Sequence, residues 1–79
     1  MRRTKGEVIA KILEVCLIGA SKTRIVYGSD LNFRTVIPYL DSLMVNGHII
    51  KADEEVARYK TTEKGMALLA IIKEANELL

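Results

Sequence analysis

Residues 21–47, SKTRIVYGSDLNFRTVIPYLDSLMVNG, hold the pattern on which the reading of this chain turns. Ser21 is a helix-capping residue, whose side-chain oxygen can accept from the N–H groups that a first turn leaves unpaired. The spacing after it predicts a short helix over 22–27. Gly28, Ser29 and Asp30 follow as a turn, with Gly28 expected to take positive φ at no steric cost. Asn32 then caps a longer helix over 33–46, which Gly47 closes. In that helix Phe33, Val36, Ile37, Leu40, Leu43 and Met44 gather within about 120° of arc and form the expected core face. Arg34, Thr35, Pro38, Ser42 and Val45 fall opposite, with Tyr39 and Asp41 at the edges.

That second face is short and hydrogen-bonding, whereas a face made only for solvent carries more Lys and Glu. Short helix, Gly-containing turn and longer amphipathic helix give the order and size of a helix-turn-helix, whose second helix lies in a DNA major groove. Pro38 breaks a local rule, because inside a helix it removes a hydrogen bond and costs about 3 kcal/mol. The apolar stripe runs through Pro38 in phase, so the expectation is a continuous, kinked helix and not two pieces.

Working outward, residues 4–18 place Val8, Ile9, Ile12, Leu13, Cys16 and Leu17 at helical spacing, with Glu7, Lys11 and Glu14 on the other side. Gly19 ends this helix. Cys16, central in the apolar arc, reads as a buried, inert thiol. After Gly47, residues 48–52 and 56–61 read as two strands joined by a turn at Asp53-Glu54-Glu55. His48 reads as a strand-start residue at the core edge. Both strands are short and need the helices for support. Thr62 caps a last helix over 63–79, in which Gly65 permits close packing. Leu68, Ile71, Ala75 and Leu78 form one apolar seam of that helix. Leu69, Ile72, Asn76 and Leu79 form a second beside it. A small monomer needs one such stripe, so the expectation is self-association through the first seam, the alternative being that both pack on the chain's own core.

Composition bounds the function. The 79 residues suit one domain, expected to comprise the helix-turn-helix at 21–47, a strand hairpin at 48–61 and the last helix. No apolar run approaches the roughly 20 residues of a membrane span, and the basic start is followed by a charged amphipathic pattern, not a signal-peptide core. The expected location is cytoplasmic, on the nucleoid. One cysteine and one histidine argue against a disulfide within the chain, a Cys-based zinc cluster or a His-rich metal site. No phosphate-binding glycine loop and no nucleophile–base pairing is evident, so neither an enzyme nor a cofactor is expected. The net charge is only +2, but residues 1–37 carry seven Lys/Arg against three acids and residues 38–79 five against seven. The basic half contains the helix-turn-helix.

Helix, helix, turn, helix, strand, strand, helix is the winged-helix order, a mainly α fold. The pattern KTRIVYG (22–28), then Leu31-Asn32, Tyr39-Leu40, Leu43, Gly47, Ile49, Tyr59, Thr62, Lys64 and Gly65 resembles an archaeal winged-helix family. That family includes small dimeric crenarchaeal DNA-binding proteins with a C-terminal antiparallel coiled coil. The resemblance covers roughly residues 7–72 and implies a homodimeric binder of double-stranded DNA, either a transcription regulator or a chromatin-like protein. The chain departs from the family in three places. His48 replaces an apolar residue, the wing tip is acidic, and the last helix is shorter.

If the chain binds DNA, Arg34 at the start of the reading helix is the first candidate for base contact, through the fork of its guanidinium on guanine O6 and N7. Thr35 and Ser42 would add hydrogen bonds or touch a thymine methyl, and Asn32 completes that set. Lys22, Thr23 and Arg24 would hold phosphates at the start of the preceding helix. Arg58 and Lys60 would meet the flanking backbone from the wing, and Arg2, Arg3 and Lys5 would form a mobile basic arm. Winged helices also serve as protein-interaction modules, which the acidic wing tip favours, and that alternative stands open.

Overall fold

Each helix start is fixed by a side chain three residues ahead of the N–H it accepts from. The structure, a computed structural model, describes residues 4–77. Thr4 accepts from the Glu7 N–H (3.1 Å) and opens α1 (Lys5–Val15). Ser21 accepts from Arg24 (3.2 Å) at the head of α2 (Lys22–Ser29), and Asn32 from Thr35 (2.9 Å) at α3 (Phe33–Val45). Thr62 accepts from Gly65 (3.1 Å) to start α4 (Glu63–Glu77). Between α3 and α4 run β1 (Ile49–Asp53) and β2 (Arg58–Thr61), an antiparallel pair with a register shift between Lys51 and Asp53. The order α-α-α-β-β-α is the expected one.

The helix ends are closed as specifically. Asn46 follows α3, and Gly47, at φ 78°, lets His48 N–H reach the Leu43 carbonyl (2.8 Å) and Gly47 N–H the Met44 carbonyl (3.1 Å). The same double closure ends α2, but there the left-handed residue is Asp30 (φ 58°), not Gly28. Gly28 is helical, and a Cβ there would stand 2.8 Å from Val15 Cγ2. The glycine is thus used for close approach of α1 and α2, and the turn falls one residue pair later than the sequence suggested. Regular α1 stops at Val15 and passes through a turn to Gly19 (φ 90°), short of the expected end at residue 18.

The core is built where α1, α2, α3 and the base of the hairpin meet. Ile12, Leu13, Cys16, Ile25, Val36, Leu40 and Ile49 are fully buried, and Leu69 brings α4 onto α1. Phe33 is not part of this core. It is 49% exposed, because the buried arc of α3 centres on Val36, Leu40 and Leu43 and leaves residue 33 on its margin. Pro38 does not interrupt α3, which runs through it unbroken; the carbonyl that loses its helical partner is that of Arg34, an exposed residue.

The hairpin is anchored at its base. Tyr59 and Ala20 exchange two backbone hydrogen bonds (2.7 and 2.9 Å), which makes the link between α1 and α2 a third, single-residue strand. The Thr61 hydroxyl donates to the Leu13 carbonyl (2.8 Å), and its N–H donates to that of Cys16 (3.0 Å). Thr62 Oγ1 donates to the Gly47 carbonyl (2.6 Å), and Lys64 Nζ to that of Asn46 (2.7 Å). His48 precedes β1 and is not part of it. Its Nδ1 is enclosed, with no hydrogen-bond partner among the described residues.

Candidate nucleic-acid interface

The outer face of α3 follows from what its inner face buries. With Val36, Leu40 and Leu43 inward, the outermost line at helical spacing is Arg34, Pro38, Asp41 and Val45, all exposed. Arg34 sits in the first turn, where the Asn32 cap orders the backbone and leaves the guanidinium in solvent. Asn32 itself spends Oδ1 on that cap. Thr35 is half-buried, on the flank of the helix. Ser42 is exposed, but on the same flank, toward α1. The basic line therefore narrows to Arg34, and Asp41 shares its face one heptad on.

The residues at the start of α2 do not form one cluster. The Lys22 ammonium lies over the Tyr59 ring, 5.9 Å from its centroid, and so faces the hairpin base. Arg24 lies on the other side, in a groove of about 550 Å³ between α1 and α2 that it lines with Glu14, Leu17, Ile18 and Tyr27. Thr23 is exposed between them. Glu14 is also 3.3 Å from the Lys73 ammonium of α4.

On the hairpin, Arg58 and Lys60 alternate with buried Tyr59 and Thr61, so both point outward as expected. Ile50, cross-strand from Lys60, adds an exposed apolar side chain to the same region. Arg58 stands opposite Asp53. The acidic tip has a structural part: Asp53 Oδ1 accepts from the N–H groups of Glu55 (3.0 Å) and Val56 (3.3 Å) and so builds the turn. Glu54 and Glu55 are exposed.

Lys5 belongs to no mobile arm. It is the first residue of α1 and lines a groove of about 390 Å³ with Ile9, Pro38, Tyr39 and Ser42. The pattern Thr4-x-x-Glu7, a capping signature, marks Lys5 as helical. Arg2 and Arg3 lie outside the described residues, as do Leu78 and Leu79. Of the first α4 seam, Leu68 is partly buried, while Ile71 (62%) and Ala75 are exposed; Leu69 and Ile72 of the second seam pack on the core. Among the described residues no group of three or more His, Cys, Asp or Glu side chains could hold a metal ion, and no helix is long and apolar enough to cross a membrane.

A family model described as a winged helix-turn-helix matches residues 2–79. The chain belongs to the winged helix-turn-helix family. This winged helix is 35% identical over 79 residues to an uncharacterized protein of Methanocaldococcus jannaschii, an alignment covering 99% of the chain and 78% of the relative. It also superposes with a TM-score of 0.88 and 31% identity on the crystal structure of Sso10a-2, a DNA-binding protein from Sulfolobus solfataricus, over 96% of this chain and 81% of that one. In winged-helix terms α2 and α3 are the helix-turn-helix, and β1 and β2 are the wing.

Proposed function

We propose that this winged helix binds double-stranded DNA as a homodimer, with α3 in the major groove. The observation that carries the reading is α3 itself. One face is fully buried at Val36 and Leu40, while the capped first turn presents Arg34 to solvent. The similarity to a DNA-binding protein across nearly the whole chain supports it. Arg34 reads a guanine, and the exposed start of α2 and the outward Arg58 and Lys60 of the wing meet phosphates on either side. The exposed Ile71 and Ala75 of α4, beside the partly buried Leu68, supply the dimer contact, to which the sequence adds Leu78. The role is that of a transcription regulator or a chromatin-like protein, cytoplasmic and nucleoid-associated, acting without cofactor or catalysis.

A salt titration of affinity for a short duplex tests the reading: log K should fall against log salt by about 0.9 per phosphate contact. Absence of affinity for any duplex at low salt refutes it. Selection from a random DNA pool separates the two roles, since a sharp half-site marks a regulator and a flat result with measurable binding an architectural protein. A protein-interaction module is the second reading, favoured by exposed Glu54 and Glu55 and by the apolar rim of Ile18 and Tyr27, each about 80% exposed. Retention of a protein partner by a chain that ignores DNA would establish it.

A further inference from the structure

We propose that Asp41 selects the DNA sequence: its carboxylate accepts from the N4 amino group of a cytosine near the guanine that Arg34 reads, and repels duplexes without that cytosine. The selection rests on the reading that α3 occupies the major groove. The outermost line of α3 holds Arg34, Pro38, Asp41 and Val45, so these side chains meet the base edges first. Pro38 and Val45, the latter 87% exposed, can touch a thymine methyl but neither donate nor accept through their side chains. The line therefore holds one fork of donors, Arg34, and one acceptor, Asp41. They stand seven residues apart, which is about 10 Å along the helix and about two or three base pairs along the groove. Helices that lie in the groove read bases over a span of about seven residues.

Nothing in the fold calls for a carboxylate at this position. The neighbours of Asp41 three and four residues away are Ile37, Pro38, Met44 and Val45, so no cation of α3 pairs with it. Asp41 caps no helix, and no ion pair reaches it among the described residues. Aspartate is also a poor former of helix interiors. On a face that meets a polyanion, an unpaired carboxylate opposes binding unless the DNA offers it a donor. In the major groove guanine O6 and N7 and thymine O4 are acceptors, and the adenine amino group lies beside the acceptor N7. Cytosine alone presents an amino group with no acceptor at its side. A face made for any sequence would carry Lys or Arg where Asp41 stands. Asp41 thus points to a chain that reads a defined half-site.

Selection of bound duplexes from a random pool, run on the full wild-type chain and on Asp41→Asn, tests the role. Asp41 is exposed, so the variant folds, as thermal melts will verify. Wild-type sites should hold a cytosine at a fixed step from the guanine. In the Asp41→Asn pool adenine should take that place with the guanine kept, because an amide both donates and accepts and so matches adenine N6 and N7. Titration of single duplexes then gives the size of the effect. Changing the cytosine of a selected site to thymine should weaken the wild type about tenfold and Asp41→Ala by less than about twofold. On the thymine duplex Asp41→Ala should bind about threefold to tenfold more tightly than the wild type, since the repulsion is gone. The same base at that position in both pools would overturn the role while leaving the DNA reading intact. So would a flat wild-type pool with measurable binding, which would make Asp41 a bystander on an architectural protein. A wild-type chain that binds no duplex removes both readings together.

Discussion

Gly65 leaves room for the His48 carbonyl and for nothing larger. A Cβ there would overlap that oxygen and stand 2.6 Å from Thr61 Cγ2. The obstacle is backbone, so Gly65→Ala should destabilise by about 1–3 kcal/mol although alanine is the better helix former by about 1 kcal/mol. At Gly28 the obstacle is the Val15 side chain, which can shift, and Gly28→Ala should cost less; urea denaturation of both variants checks the order. Cys16 makes a second prediction. Burial pushes its thiol from 9.0 up to about 12, so the folded chain holds a proton that the unfolded chain releases. The corresponding stability is present in full below about pH 9 and is lost as pH rises toward 12. Between those values the denaturation midpoint should fall more steeply in the wild type than in Cys16→Ala. At pH 8 a thiol reagent should label Cys16 only after unfolding.

At the scale of elements, α3 separates residues that its pattern groups together. Leu40→Ala should cost about 2–5 kcal/mol, as for other buried leucines, and Phe33→Ala only about 1 kcal/mol, in line with its half exposure. Asn32→Ala removes the cap and should cost about 1 kcal/mol, with weaker DNA affinity because the first turn carrying Arg34 frays. Thermal melts and the duplex titration together read both effects. These elements were legible in the sequence because local chemistry dictates them. Ser21, Asn32 and Thr62 cap as their side chains require, and Gly19 and Gly47 take the positive φ expected at helix ends. The errors arose where a distant segment decides. Gly28 is spent on Val15, which sequence spacing does not reveal, and Asp30 takes the turn. The site was less legible than the fold. Arg34, Arg58 and Lys60 point outward as alternation and helical spacing predict, but Lys22 turns to Tyr59, and Ser42 lines one groove with Lys5, 37 residues away in the chain.

Over the whole molecule, the surface left uncovered on α4 bears on assembly. Ile71 is 62% exposed, so Ile71→Glu should leave the subunit folded while shifting the mass measured by light scattering from dimer to monomer. An unchanged mass would exclude this face as the contact. The hairpin shows the same economy at its margin. Tyr59 pairs with Ala20 on one side of β2, which leaves β1 as the outer strand of the described residues. A bare strand margin is a template for polymerisation, since its unpaired amides accept any extended chain. Here the shift between Lys51 and Asp53 bends the margin out of register, and a cation and an anion stand at the bend. Replacing Lys51 by valine should leave the native melting point almost unchanged, because the side chain is exposed and Asp53 still holds the turn. The same change should shorten the lag before insoluble β-rich aggregate forms on gentle heating. The irregularity in β1 is then a barrier against fibre growth, set at the outer end of a strand whose inner end, at Ile49, belongs to the core.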